Sequence, residues 1–106
     1  MELKRVVVTG LGALTPIGNN IEEYWEALVN GKSGSAPITY FDTEKFKTKF
    51  ACEIKNFNFN EYFDRKEIRR LDKFAQYAMV ASDEAITDSG IDLENVDKYC
   101  VGVIWG

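Results

Sequence analysis

Arg5-Val6-Val7-Val8-Thr9-Gly10-Leu11-Gly12 decides how the rest of the chain is read. Val6 to Thr9 are β-branched and almost continuously apolar, the composition of a strand covered on both faces in a parallel α/β sheet. Gly10 and Gly12 open a turn or loop that continues through Thr15-Pro16-Ile17-Gly18. Asn20 with Glu23 three residues later resembles a capping box. Between Ile21 and Asn30 the large apolar residues are Ile21, Tyr24, Trp25, Leu28 and Val29, spaced as one face of a helix, with Glu22, Glu23 and Glu26 mainly on the other. Gly31 can end that helix in the left-handed conformation. Strand, glycine turn and amphipathic helix make the first half of a βαβ unit.

Periodicity weakens from Lys32 to Asn60. Ser33-Gly34-Ser35-Ala36-Pro37 reads as loop, and a short strand is expected within Phe50 to Ile54. Phe41, Phe46, Phe50, Phe57 and Phe59 stand in polar surroundings, which suggests a long segment pinned to a larger surface by aromatic anchors. Asp64 and Glu67 form a second capping pair, opening a helical stretch that runs to about Ser89-Gly90. At about 100° per residue, Ile68, Leu71, Ala75, Met79, Ser82 and Ile86 share one side. Lys66, Arg69, Arg70 and Lys73 share the opposite side, which further along becomes Tyr77 and Val80, with Ala81 close by. The stretch therefore begins with a wet basic face and ends apolar nearly all round. Asp72 offers a fresh N-cap, so one helix and two abutting helices fit equally well. A polar turn through Asp92, Glu94 and Asp97 leads to Cys100-Val101-Gly102-Val103-Ile104-Trp105, a second buried strand. The order is β, α, long excursion, α, β, an α/β class. Because Gly106 directly follows an apolar strand that needs neighbours on its edges and faces, the unit is expected to be incomplete.

A length of 106 residues allows one small domain. Its 45% apolar and 28% charged residues are ordinary for a packed protein. The net charge of −4, from 13 basic and 17 acidic residues, argues against nonspecific nucleic-acid binding. The apolar run near the N-terminus is too short for a membrane span and lacks the flanks of a secretory signal, so a cytoplasmic protein is expected. Cys52 and Cys100 have no CxxC spacing and are expected as reduced, buried thiols. No histidine is present, which excludes imidazole-built zinc sites and Ser-His or Cys-His nucleophile pairs within these residues.

Gly10-Leu11-Gly12 invites a dinucleotide-binding reading, but GxGxxG requires glycine where Thr15 stands, and no acidic residue ends a second strand at the proper distance. A structural turn is favoured and no cofactor is expected. Cys52 has no base to deprotonate it. Asp83, Glu84 and Asp88 are read as solvating the end of their helix rather than as a catalytic pair. The stripe Lys66, Arg69, Arg70 and Lys73 has two readings of equal weight on residue chemistry alone. One is a solvated face paired locally with Asp64, Glu67 and Asp72; the other is a compact positive patch for an acidic partner.

Several motifs, taken together, resemble the N-terminus of the β-ketoacyl-acyl carrier protein synthases of type II. They are Arg5 to Gly12, Thr15-Pro16-Ile17-Gly18-Asn19, Tyr24-Trp25, Gly31-Lys32-Ser33-Gly34, Ile38-Thr39-Tyr40-Phe41-Asp42, Phe50-Ala51-Cys52-Glu53, Asp64-Arg65-Lys66-Glu67 and Phe74-Ala75-Gln76-Tyr77-Ala78. The resemblance spans essentially the whole chain. It implies that residues 1–106 are the N-terminal portion of the synthase N-terminal domain, part of a thiolase-like αβαβα sandwich that works as a homodimer. It further implies an acyltransferase of fatty acid biosynthesis that condenses acyl groups with malonyl-acyl carrier protein by decarboxylative Claisen chemistry. The family's cysteine nucleophile, histidines and lysine cannot be placed in this chain; Cys52 does not occupy the nucleophile's motif. One functional element carries over: Lys66, Arg69 and Arg70 match basic positions that dock acyl carrier protein. Two alternatives stand beside this one: a standalone carrier-protein-binding module and, since the resemblance extends to related enzymes of the same fold, the N-terminal half of a polyketide-type ketosynthase.

Overall fold

Helix α4, Lys73–Ser89, is the axis on which the other segments are placed. A computed structural model describes all residues from Met1 to Gly106. In chain order the elements are α1 (Ile21–Val29), β1 (Ala36–Pro37), β2 (Phe50–Ala51), α2 (Phe59–Tyr62), α3 (Arg65–Arg70) and α4, followed by a 3₁₀ turn over Lys98–Cys100. β1 and β2 pair antiparallel, Ala36 opposite Ala51 and Pro37 opposite Phe50.

The glycine segment lies flat on α4. A Cβ on Gly12 would overlap the carbonyl oxygen of Ala81, and one on Gly10 would overlap that of Ala85 and the backbone at Ser89. Ala81, Ala85 and Ser89 recur every four residues, so they form one strip of small side chains that lets two backbones approach closely. Polar staples reinforce this contact. The Leu11 N–H donates to Asp88 Oδ2 at 2.9 Å and the Ala13 N–H donates to Glu84 Oε2 at 2.8 Å. The other oxygen of Glu84 accepts the Ile21 N–H at 2.9 Å, one of the N–H groups that the first turn of α1 leaves without a helical partner. One carboxylate thus fixes the glycine segment and the start of α1 to the middle of α4. Asp88 and Glu84 are backbone staples, not the solvated helix end expected of them, and Asp83 accepts the Tyr62 O–H at 2.6 Å.

Local signals govern the helix ends. Asn20 Oδ1 accepts the Glu23 N–H at 2.9 Å, while the Glu23 carboxylate reaches back to the Asn19 N–H at 2.8 Å, one residue beyond a strict capping box. Past Val29 the chain makes a Schellman closure: Lys32 N–H donates to Ala27 O, Gly31 N–H donates to Leu28 O, and Gly31 has φ +64°. Gly90 ends α4 with the same φ. Lys55 ties the excursion down, its Nζ donating to Gly34 O at 2.6 Å, Glu53 O at 3.1 Å and Pro16 O at 3.4 Å. Glu53 closes the β1–β2 pair from outside, accepting from the Thr39 N–H and hydroxyl, the latter at 2.8 Å. Desolvation works against its ionisation. The Thr39 hydroxyl, the Thr39 and Tyr40 N–H groups and the Lys55 charge outweigh it and hold the carboxyl below its ordinary value.

Both expected terminal strands, Arg5–Thr9 and Cys100–Trp105, are absent as strands. Residues 1–10 and 101–106 pair with nothing, and Val6 is 88% exposed. Their composition suits a sheet, but a strand exists only through hydrogen-bonded neighbours, and none lies beside them. Of the side shared by Ile68, Leu71, Ala75, Met79, Ser82 and Ile86, Met79 is 44% exposed and Ile86 lies on the surface, while Gln76, Ala78, Val80 and Ala81 are buried. On α1 the apolar stripe faces outward too, with Trp25 66% exposed and only Ala27 buried. The phenylalanines divide. Phe57 and Phe59 meet edge to face at 4.6 Å and reach Tyr62 and Tyr77, whereas Phe41, Phe46 and Phe50 are exposed, the first two against each other at 5.5 Å. The total surface, 9195 Å², exceeds the roughly 6,000 Å² of a folded monomer of 12.1 kDa. The radius of gyration, 17.4 Å, likewise exceeds the approximately 13 Å expected of a chain this long.

Two predictions follow from these contacts. Gly12→Ala is expected to lower stability by about 2 kcal/mol, since neither the Ala81 carbonyl nor the α4 backbone can give way; loss of helical circular dichroism on heating measures it. The Glu53 contribution is complete above the ordinary carboxyl value of 4.5 and is lost as pH falls through the lower folded value. Acid titration followed by the Thr39 amide resonance should show that loss, and Glu53→Gln should abolish the transition.

Candidate functional site

The short helix α3 carries the one concentrated charge feature of the surface. Asp64 starts it with a complete capping box: its Oδ1 accepts the Lys66 and Glu67 N–H groups at 2.7 and 2.8 Å, and Glu67 Oε2 accepts the Asp64 N–H at 3.0 Å. Both acids are therefore committed to backbone groups. Lys66, Arg69 and Arg70 lie at i, i+3 and i+4, on one face, and all three are exposed. None has a carboxylate within 4.0 Å, because the single ion pair of the chain joins Lys98 and Glu94 at 3.5 Å. The local pairing with Asp64, Glu67 and Asp72, weighed as the bland reading, is not formed.

Lys73 leaves the stripe. The helix breaks at Leu71, whose backbone is extended, and restarts with Asp72 as N-cap, so the two-helix alternative is the one adopted. Lys73 Nζ sits 4.4 Å from the centre of the Phe59 ring, a cation–π contact that takes it into the aromatic cluster. Asp72 makes no side-chain cap bond. The orphan carbonyls at the end of α3 are satisfied from the next helix instead: Gln76 Nε2 donates to Leu71 O at 2.9 Å and Ile68 O at 3.3 Å. Gln76 is 1% exposed. Its role was not anticipated; an amide among Phe74, Ala75, Tyr77 and Ala78 is the only sign of it in the sequence.

The remaining reactive groups do not converge. Cys52 and Cys100 are both exposed, contrary to the expectation of buried thiols. Burial, then the hydrogen bond and charge of Asp83, pushes the Tyr62 phenol up to about 12. Burial, then the Tyr40 hydroxyl and the charge of Glu53, raises Tyr77. The Tyr62 hydroxyl serves as a hydrogen-bond donor to Asp83 in the fold. A groove of about 360 Å³ runs beside α4 between Tyr62, Met79, Asp83, Ile86 and Val103. A larger, polar cavity of about 480 Å³ lies against α1, among Asn19, Glu23, Glu26, Asn30, Lys32 and Asn56. Neither brings a thiol to a base. No three metal-ligating side chains gather, and no helix is long and apolar enough to cross a membrane.

Comparison with known proteins places these features in a family. Residues 3–106 match the family model described as beta-ketoacyl synthase, N-terminal domain. A 3-oxoacyl-[acyl-carrier-protein] synthase 2 of Synechocystis sp. is 43% identical over 106 residues, covering 100% of this chain and 26% of that protein. One from Staphylococcus aureus is 46% identical over 100 residues, covering 94% of this chain and 24% of the relative. The chain spans about a quarter of the length of these curated relatives. Among solved structures, the ishigamide ketosynthase/chain length factor superimposes with a TM-score of 0.74 at 36% identity, covering 85% of this chain and 22% of the other. The fold is thus that of part of a thiolase-like ketosynthase, and the chain belongs to the β-ketoacyl synthase family.

Proposed function

We propose that residues 1–106 are the N-terminal portion of the N-terminal domain of a 3-oxoacyl-[acyl-carrier-protein] synthase of type II. That enzyme is an acyltransferase of fatty acid biosynthesis that condenses acyl groups with malonyl-acyl carrier protein, losing carbon dioxide as the new carbon–carbon bond forms. The identity to the two synthases, 43% and 46%, supports this reading over a polyketide-type ketosynthase, for which the solved neighbour stands at 36%. The reading assigns no catalytic residue and no cofactor to these 106 positions. It includes a cytoplasmic location and homodimeric assembly of the whole enzyme. Exposed apolar residues on α1, on α4 and in the terminal segments support burial against further protein surface.

The role proposed for this chain is docking of acyl carrier protein, in its acyl- and malonyl-loaded forms, on Lys66, Arg69 and Arg70. One observation carries it: three unpaired cations share one exposed face of α3, in a chain of net charge −4, while Asp64 and Glu67 are occupied by the capping box. Such a face attracts an acidic surface over about a Debye length, roughly 8–10 Å at physiological salt.

Titrating acyl carrier protein against this chain at low salt should give saturable binding that weakens steeply as salt is raised. Reversing Lys66, Arg69 and Arg70 to glutamate should lower the affinity by about tenfold or more. Equal binding by both proteins removes the docking role. A condensation assay on the same protein should give no turnover above background; turnover here would contradict the assignment of chemistry to residues outside this stretch.

A further inference from the structure

We infer that Gln76 is a positioning residue for the basic face of α3; the inference rests on the docking role proposed above. The two carbonyls it holds belong to Ile68 and Leu71, and the residues between them are Arg69 and Arg70. Fixing the backbone on both sides of this pair fixes the direction in which the two guanidinium groups leave the helix. Apart from the Leu71 N–H, which donates to Glu67 O at 2.9 Å, no other bond fixes the junction. α3 ends without a glycine cap, Leu71 is extended with φ −98° and ψ 129°, and Asp72 makes no side-chain cap bond. The six residues of α3 are too few to hold a helix on their own.

Burial sharpens the point. Gln76 is the most completely covered side chain of the molecule, yet its acceptor oxygen has no hydrogen-bond partner. An unpaired buried oxygen is unfavourable, and a methionine of similar length would fill the same space without it. Packing alone therefore does not account for the amide. Its donor side does, because only the N–H groups reach the orphan carbonyls of α3 and join that helix to α4.

The test compares the parent protein with Gln76→Met, which keeps the volume and removes the donors, and with Gln76→Leu, which removes the donors and the unpaired oxygen together. In both, amide hydrogen exchange should accelerate across Lys66–Leu71 by about tenfold or more while Tyr77–Thr87 stays protected. Affinity for acyl carrier protein should fall about fivefold. Its dependence on salt should also become shallower, as Arg69 and Arg70 no longer act together with Lys66; a role in packing alone would leave that slope unchanged. Unaltered exchange in α3, or loss of protection throughout α4 as well, would overturn the inference, as would weaker binding with an unchanged salt slope. If even the parent protein does not bind the carrier, the docking role fails and this inference with it as a positioning claim. The exchange pattern would then report only whether Gln76 clamps α3.

Discussion

Glu84 sits at the middle of α4, and its two oxygens accept from Ala13 and Ile21, residues 71 and 63 positions away. Each bond joins a charged acceptor to a backbone N–H that has no other partner, the kind of hydrogen bond that contributes more than a neutral one. The same carboxylate sits where the glycine segment presses on Ala81 and Ala85, so a contact dictated by sterics and one dictated by charge coincide. From that point the chain is placed outward. α1 begins where Glu84 holds Ile21, Gly18 packs under its first turn, and Lys55 brings the loop around Gly34 back to Pro16.

The surface left over is large. Seven residues of 106 are buried, and the apolar sides of α1 and α4 do not pack along one another. Within these residues the contacts that join distant segments are chiefly specific polar bonds and close backbone approaches. The basic face of α3 is independent of that surface. It is built from local bonds, the capping box at one end and Gln76 at the other.

What the sequence made legible was whatever a few neighbouring residues decide. Asn20, Gly31, Asp64, Glu67 and Gly90 each act within a turn of chain, and each stands where it was expected. Lys66, Arg69 and Arg70 were also legible, since their spacing alone puts them on one face. What failed depended on distant partners. The runs Val6–Thr9 and Val101–Trp105 have strand composition but no strand beside them. Spacing along α4 puts Met79 and Ile86 on one side, but which side is covered depends on the small residues that admit Gly10 and Gly12. The stapling by Glu84 and Asp88 was hidden because their partners are backbone groups remote in sequence. The loss of Lys73 from the stripe followed from the break at Leu71, which the alternating caps allowed but did not require.

The most direct test of the docking role is to locate acyl carrier protein on this chain residue by residue. Backbone amide resonances of the isotopically labelled chain, followed through a titration with unlabelled carrier protein, should move most at Arg65–Leu71. They should move little at α1, at the β1–β2 pair and along Val101–Trp105. Shifts concentrated on the exposed apolar side of α4 or on the terminal segments, with α3 unmoved, would contradict it.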